Sequence, residues 1–255
     1  MGDSLSGRTV VITGGGRGYG EFMGVAVARE GANVVLTART LSECEGVVAR
    51  IRAEGGEALP VQCDVASETD IQAMADATIA AYGKIDVLVN NAGHPGSVEA
   101  FADISATDWG DTFDVNVKGM FMGAKAVLPA MLERGDGHII NVTSWTAHPG
   151  FPFVRSIPYT VSKFAVDGMT HVVSLKLKDT GVRYNAFSPG LAETRFLSGM
   201  PPGYLSGREV QTPEHVMEPI VHMLTSPDIG NGVIFDVLGW LREQGLYDKY
   251  SFIHD

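Results

Sequence analysis

The sequence predicts an α/β fold built on a doubly wound parallel sheet of about seven strands with helices on both faces. Three observations predict it. Short apolar runs alternate with segments of helical spacing, the pattern of parallel strands joined by crossover helices. The runs are continuous Val, Ile and Leu rather than alternating apolar and polar, as strands buried on both faces require. A glycine-rich turn, Thr13-Gly14-Gly15-Gly16-Arg17-Gly18-Tyr19-Gly20, joins the first run to the first helical segment.

The elements follow in order. Residues 8–13 are a β-branched run ended by glycines and read as the first strand. Residues 18–30 place Phe22, Val25, Ala26 and Arg29 at helical spacing before a Gly31 stop. A second strand spans 33–38. Residues 41–54 read as a helix that Thr40 or Ser42 can cap and Gly55-Gly56 ends. The third strand is 58–62. Ser67 opens a helix to about 82, with Asp70 in its acidic first turn. A short strand at 87–89 precedes one long helix, 107–134, stopped by Gly135-Asp136-Gly137. Strand 138–142, helix 159–179 and strand 182–187 continue the alternation. Helix 214–224 and a short strand at 232–235 close it. Residues 195–213, irregular and rich in Gly and Pro, read as a flap within a single domain spanning 1–255, and residues 240–255 as a C-terminal tail.

Composition narrows the class. The chain has 255 residues, 45% apolar and 19% charged, which suits one domain folding without metal or disulfide. A net charge of -11 argues against a general nucleic-acid role, although a local basic patch can hold one phosphate. Cys44 and Cys63 form neither a metal-ligand spacing nor a disulfide framework and read as reduced thiols of a cytoplasmic protein. No catalytic metal is expected, because no His, Cys or carboxylate cluster has ligand spacing. The N-terminus lacks the pattern of a secretory signal. Gly2 and Ser6 match the loose N-myristoylation pattern without the polybasic run that would support it. The apolar runs are too short to span a bilayer, so no membrane role is expected.

The chemistry-bearing residues fall at the carboxyl ends of the strands, where such sheets bind ligands. Glycines after the first strand let backbone approach a pyrophosphate and let the next helix aim its N–H groups at it. Arg39 follows the second strand. An acidic residue there would bind a free ribose hydroxyl, whereas Arg39, with Ala38 at the strand tip and Arg17 nearby, suits a 2′-phosphate and hence NADP(H). Tyr159 and Lys163 lie four apart on one helix face. A free tyrosine, with a pKa near 10, is a poor base at neutral pH, and a cation beside it lowers that value. Ser144 ends the fifth strand and can hydrogen-bond a carbonyl. Asn90-Asn91-Ala92-Gly93 ends the fourth. Asn116 lies within the long helix, where Asn is a mediocre helix former. His94, Trp145, His148, Phe151, Phe153, Met200 and Tyr204 are candidate substrate walls, and they either line an apolar, aromatic pocket or pack the loops. A pocket so lined suits a cyclic, aromatic or lipid-like ketone or secondary alcohol. Arg155 is either a carboxylate partner or a solvated surface residue.

Together these residues resemble the short-chain dehydrogenase/reductase family in its single-domain, Rossmann-like form. The resemblance rests on Thr13 to Gly20, Asp64, Asn90 to Gly93, Asn116, Ser144 with Tyr159 and Lys163, and Pro189-Gly190 with Thr194, in that order along the chain. It implies that Tyr159 is the general acid in reduction and the base in oxidation. Lys163 would lower its pKa and hold the nicotinamide ribose. Ser144 would polarise the carbonyl, and Asn116 would hold a water linking Lys163 to solvent. Gly14, Gly16, Arg17, Gly18, Tyr19, Gly20 and Arg39 would bind the cofactor's phosphates, and Asp64 and Val65 its adenine. Asn90, Ala92 and Gly93 would line the groove, and Pro189, Gly190 and Thr194 would meet the nicotinamide amide. A dimer or tetramer formed through the long helices is also implied. Three features depart from the family pattern: the spacing of 15 between Ser144 and Tyr159, Tyr19 in place of a small aliphatic residue, and Phe235-Asp236-Val237-Leu238-Gly239 in place of Asp-Gly-Gly. The competing reading is a non-catalytic NADP(H)-binding sensor or assembly module on the same fold.

Overall fold

The computed structural model describes residues 2–148, 156–194 and 209–253. Its elements are β1 (Thr9–Thr13), α1 (Gly18–Arg29), β2 (Asn33–Ala38), α2 (Leu41–Ala53), β3 (Glu57–Gln62), α3 (Glu68–Tyr82) and β4 (Val87–Asn90). The second half contributes α4 (Ala106–Phe113), α5 (Gly119–Arg134), β5 (Gly137–Val142), α6 (Ile157–Leu177), β6 (Val182–Ser188) and β7 (Glu209–Gln211). It ends with α7 (Met217–Thr225), β8 (Ile234–Asp236), α8 (Val237–Glu243), α9 (Tyr247–Tyr250) and β9 (Ser251–Ile253).

Seven strands form one sheet in the order β3-β2-β1-β4-β5-β6-β8, all parallel. Successive side chains of a strand point to opposite faces, so each central strand feeds two cores. Val10, Ile12, Val34 and Leu36 pack with α1, α2 and α7. Val11, Val35, Leu88 and Ile139 pack with α3 and α5 on the other face. The sequence runs β1-β2-β3 outward in one direction and β4-β5-β6 in the other, so the carboxyl ends of β1 and β4 flank the switch point where such folds hold ligands.

Local chemistry explains several boundaries. Ser67 accepts the backbone N–H of Asp70 and donates its hydroxyl to the Asp70 carboxylate, starting α3. Thr40 precedes α2 without a side-chain capping bond. The long helix expected over 107–134 is instead α4 and α5 joined by a wider π-type turn at Asp114–Lys118, which holds Asn116. A turn one residue too wide over five positions leaves the apolar periodicity almost unchanged, which hid it. The stretch 209–213 is also more regular than expected: β7 pairs antiparallel with β9 from the tail. The rest of the expected flap, 195–208, lies outside the described residues.

Candidate active site

A cleft of about 1080 Å³ opens over the carboxyl ends of the strands. Its first wall is the glycine loop. Gly14 and Gly18 have φ of 64° and 55°, a region that side-chain-bearing residues rarely adopt. A Cβ on Gly14 would come 2.9 Å from Ala92 Cα. Arg17 precedes α1 without a side-chain capping bond, so the first N–H groups of α1 are left for a ligand. This cradle fits a pyrophosphate. Asn91 fastens it: its Nδ2 donates to the carbonyls of Thr13 (2.8 Å) and Gly14 (3.2 Å).

Gly14, Gly16, Arg17, Gly18 and Tyr19 line the cleft, as do Arg39, Asp64 and Val65. Ala92, Gly93, His94, Trp145, Pro189, Gly190 and Thr194 line it further along. Gly20, Asn90, Asn116 and His148 do not. Gly20 packs so closely on the Gly14 carbonyl that no Cβ fits. Asn90 Nδ2 donates to Met120 O and Asn141 Oδ1 behind the wall. Phe153, Met200 and Tyr204, with Phe151 and Arg155, lie outside the described residues.

The reactive end is assembled from β5, α6 and the π-type turn. Ser144 caps the short turn after β5, its Oγ accepting from the Thr146 backbone N–H at 3.3 Å. Ser156 caps α6 by accepting the Tyr159 N–H at 3.2 Å, which fixes Tyr159 in the first turn with its ring at the cleft. One turn on, Lys163 Nζ lies 5.5 Å from the centre of that ring. The ammonium is 2% exposed and donates to Val142 O at 2.7 Å. Burial pushes its pKa down to about 8, with Asp167 opposing the shift. Asp167 itself is raised, mainly by burial. Asn116 is fully buried. Its Oδ1 accepts from His94 N (2.7 Å), and its Nδ2 donates to His94 O (3.0 Å) and Ser162 Oγ (2.9 Å). Asn116 therefore anchors the His94 segment to α6 from behind.

Further residues that were given no site role from the sequence face the cleft, among them Glu43, Leu238 and Tyr247. Glu43, in the first turn of α2, meets Arg17 Nη1 at 3.5 Å. Leu238 and Tyr247 bring the tail onto the rim. The tail folds back on its own chain: Arg242 stacks 4.1 Å from the Tyr247 ring and 5.9 Å from that of Trp145, and Trp145 Nε1 donates to Asp236 at 2.9 Å. Adjacent aromatic and acidic positions in 236–247 were the available signal, but spacing alone could not say which chain they cover.

A family model described as short chain dehydrogenase matches residues 8–203. The chain belongs to the short-chain dehydrogenase family. Over 238 residues, 92% of this chain and 90% of the other, it is 34% identical to 2,5-dichloro-2,5-cyclohexadiene-1,4-diol dehydrogenase LinX of Sphingobium indicum. It is 36% identical over 193 residues to glucose 1-dehydrogenase 2 of Bacillus subtilis, covering 74% of each chain. Its fold matches the crystal structure of a short-chain type dehydrogenase/reductase from Mycobacterium marinum with a TM-score of 0.82, at 30% identity, covering 91% of this chain and 94% of that one. The protein is an oxidoreductase of alcohol or carbonyl groups that uses a nicotinamide nucleotide.

Proposed function

We propose that this enzyme moves a hydride between NADP(H) and a ring-bearing or lipid-like ketone or secondary alcohol, with Tyr159 as the proton-transferring catalytic residue. The observation that carries the reading is the buried Lys163 ammonium beside the Tyr159 ring at the cleft floor. When bound, the nicotinamide supplies or accepts the hydride. Tyr159 gives its phenolic proton to the carbonyl oxygen in reduction and takes it back in oxidation. Lys163 favours the phenolate by its charge. Ser144 donates a hydrogen bond to the same oxygen, aligning it and stabilising the charge that develops there. Asn116 holds the wall on which Lys163 is mounted.

Arg39 and the 57%-exposed Arg17 both line the cleft, and the strand tip is Ala38 rather than a carboxylate, which supports NADP(H) over NAD(H). Trp145, Leu238 and Tyr247 give the substrate end an apolar, aromatic rim, and one relative is a dehydrogenase of a cyclohexadiene diol. Exposed Phe121 and Leu132 on α5 and Val161, Phe164, Val172 and Leu175 on α6 support homo-oligomerisation through these helices. The buried free thiols of Cys44 and Cys63 support a cytoplasmic setting.

The test is Tyr159→Phe. Its turnover should fall by about 10³-fold or more, the scale of positioned acid–base catalysis, while NADPH titration by nicotinamide fluorescence gives an unchanged Kd. Substantial turnover in the variant would sink the mechanism. A wild-type protein that binds NADPH tightly yet turns over no ketone or secondary alcohol would favour the non-catalytic NADP(H)-binding alternative.

A further inference from the structure

Tyr19 stands between two glycines of the phosphate loop, and its phenol reaches across the cleft. Its hydroxyl donates to Gly190 O at 3.1 Å. Its ring meets the edge of the His215 imidazole, centroids 5.6 Å apart and planes at 81°. His215 is fully buried in the turn before α7. Its Nε2 lies 2.5 Å from Pro189 O and its Nδ1 2.7 Å from Thr212 O. Carbonyls only accept, so both contacts are donated at once only when the imidazole carries two protons. Burial lowers its pKa from the ordinary value, and the neutral ring donates to one of them.

Tyr19 thus holds the carbonyl of Gly190 where the chain leaves β6, and the His215 ring lies against the carbonyl of the preceding residue, Pro189. Backbone bonds hold the following residues: Gln211 N donates to Leu191 O and Glu193 N to Gln211 O. The Tyr19 hydroxyl joins this segment to the glycine loop. We infer that Tyr19, seated on His215, is a positioning residue that presets the distance between the phosphate loop and the Pro189–Thr194 segment, so that a nicotinamide dinucleotide spanning both binds without ordering the segment. This inference rests on the proposed cofactor site.

The test compares Tyr19→Phe, which removes only the hydroxyl, with wild type, and Tyr19→Leu, which also removes the ring edge against His215. Kd is measured by titration for NADPH and, separately, for adenosine 2′,5′-bisphosphate, which occupies only the adenosine end. For Tyr19→Phe, loss of one neutral hydrogen bond predicts an NADPH Kd about 5-fold weaker. Adenosine bisphosphate binding should stay within about 2-fold of wild type. Tyr19→Leu should weaken NADPH further while leaving the fragment unaffected. An unchanged NADPH Kd in Tyr19→Phe, or equal weakening of dinucleotide and fragment, would overturn the clamp. Failure of wild type itself to bind any nicotinamide nucleotide would overturn the functional reading beneath it.

Discussion

Lys163→Met should leave an inactive protein that is more stable than the wild type. The amine is 2% exposed, and burial takes its pKa from 10.5 down to about 8. At 1.36 kcal/mol per pH unit, keeping it charged at pH 7 costs about 3 kcal/mol. The unfolded chain holds this proton more tightly than the native one. Between about pH 8 and 10.5 the unfolded state therefore binds more protons, and wild-type stability rises with pH across that window. Below pH 8 the full cost applies, and above 10.5 it is gone. Methionine removes the charge and also the 2.7 Å bond to Val142 O, a loss of about 1 kcal/mol. The net gain at pH 7 is about 2 kcal/mol, or ~4–8 °C in Tm for a chain of this size. Urea unfolding of the cofactor-free protein at pH 7 and pH 10, at one protein concentration, reads both numbers. A variant no more stable at pH 7, or a gap that does not shrink by pH 10, would refute the electrostatic account of this lysine.

Two further outcomes follow from other charges. Arg39→Ser should weaken NADPH binding by about 10- to 100-fold, the worth of a charge-assisted hydrogen bond, and leave NADH binding unchanged; parallel titrations decide it. His138 is fully buried, its Nε2 2.9 Å from Asn185 Nδ2, and burial holds its pKa well below 6.5. The native ring stays neutral while the unfolded one takes a proton below about 6.5, so stability falls as the solution is acidified past that point. His138→Gln keeps an acceptor for Asn185 and should flatten the stability slope below about pH 6.5; an unaltered slope would refute the assignment.

The alternation of apolar runs made the layers legible, because strands such as Val10-Val11-Ile12 are buried on both faces and carry no competing pattern. The catalytic candidates were legible for a related reason. Tyr159 and Lys163 lie on one helix whose start Ser156 fixes, so their spacing converts directly to a shared face. Asn116 was noticed as a poor helix former, but the π-type turn around it was not, since five residues are too few to reveal a changed period. Glu43 escaped because its meeting with Arg17 joins two elements, and a single sequence does not measure that approach. The tail escaped for the same reason: β9 finds its partner in β7, and no local pattern in 251–253 names it.

β1 lies at the centre of the finished sheet, yet its two neighbours arrive at different times. Val11 pairs with Val35 on one side and with Leu88 on the other. During synthesis the first three strands can associate as soon as they emerge, leaving β1 with one bare edge and five residues that are all buried in the end state. An apolar edge of that kind is a template for strands of other chains. The interval before β4 is delivered is therefore when a growing chain is most exposed to misassociation. Nicotinamide nucleotide offers no protection then, because the cleft is closed by the same β1–β4 pairing. Cofactor in the cell can shift the balance only after that strand has docked, by mass action on the completed fold.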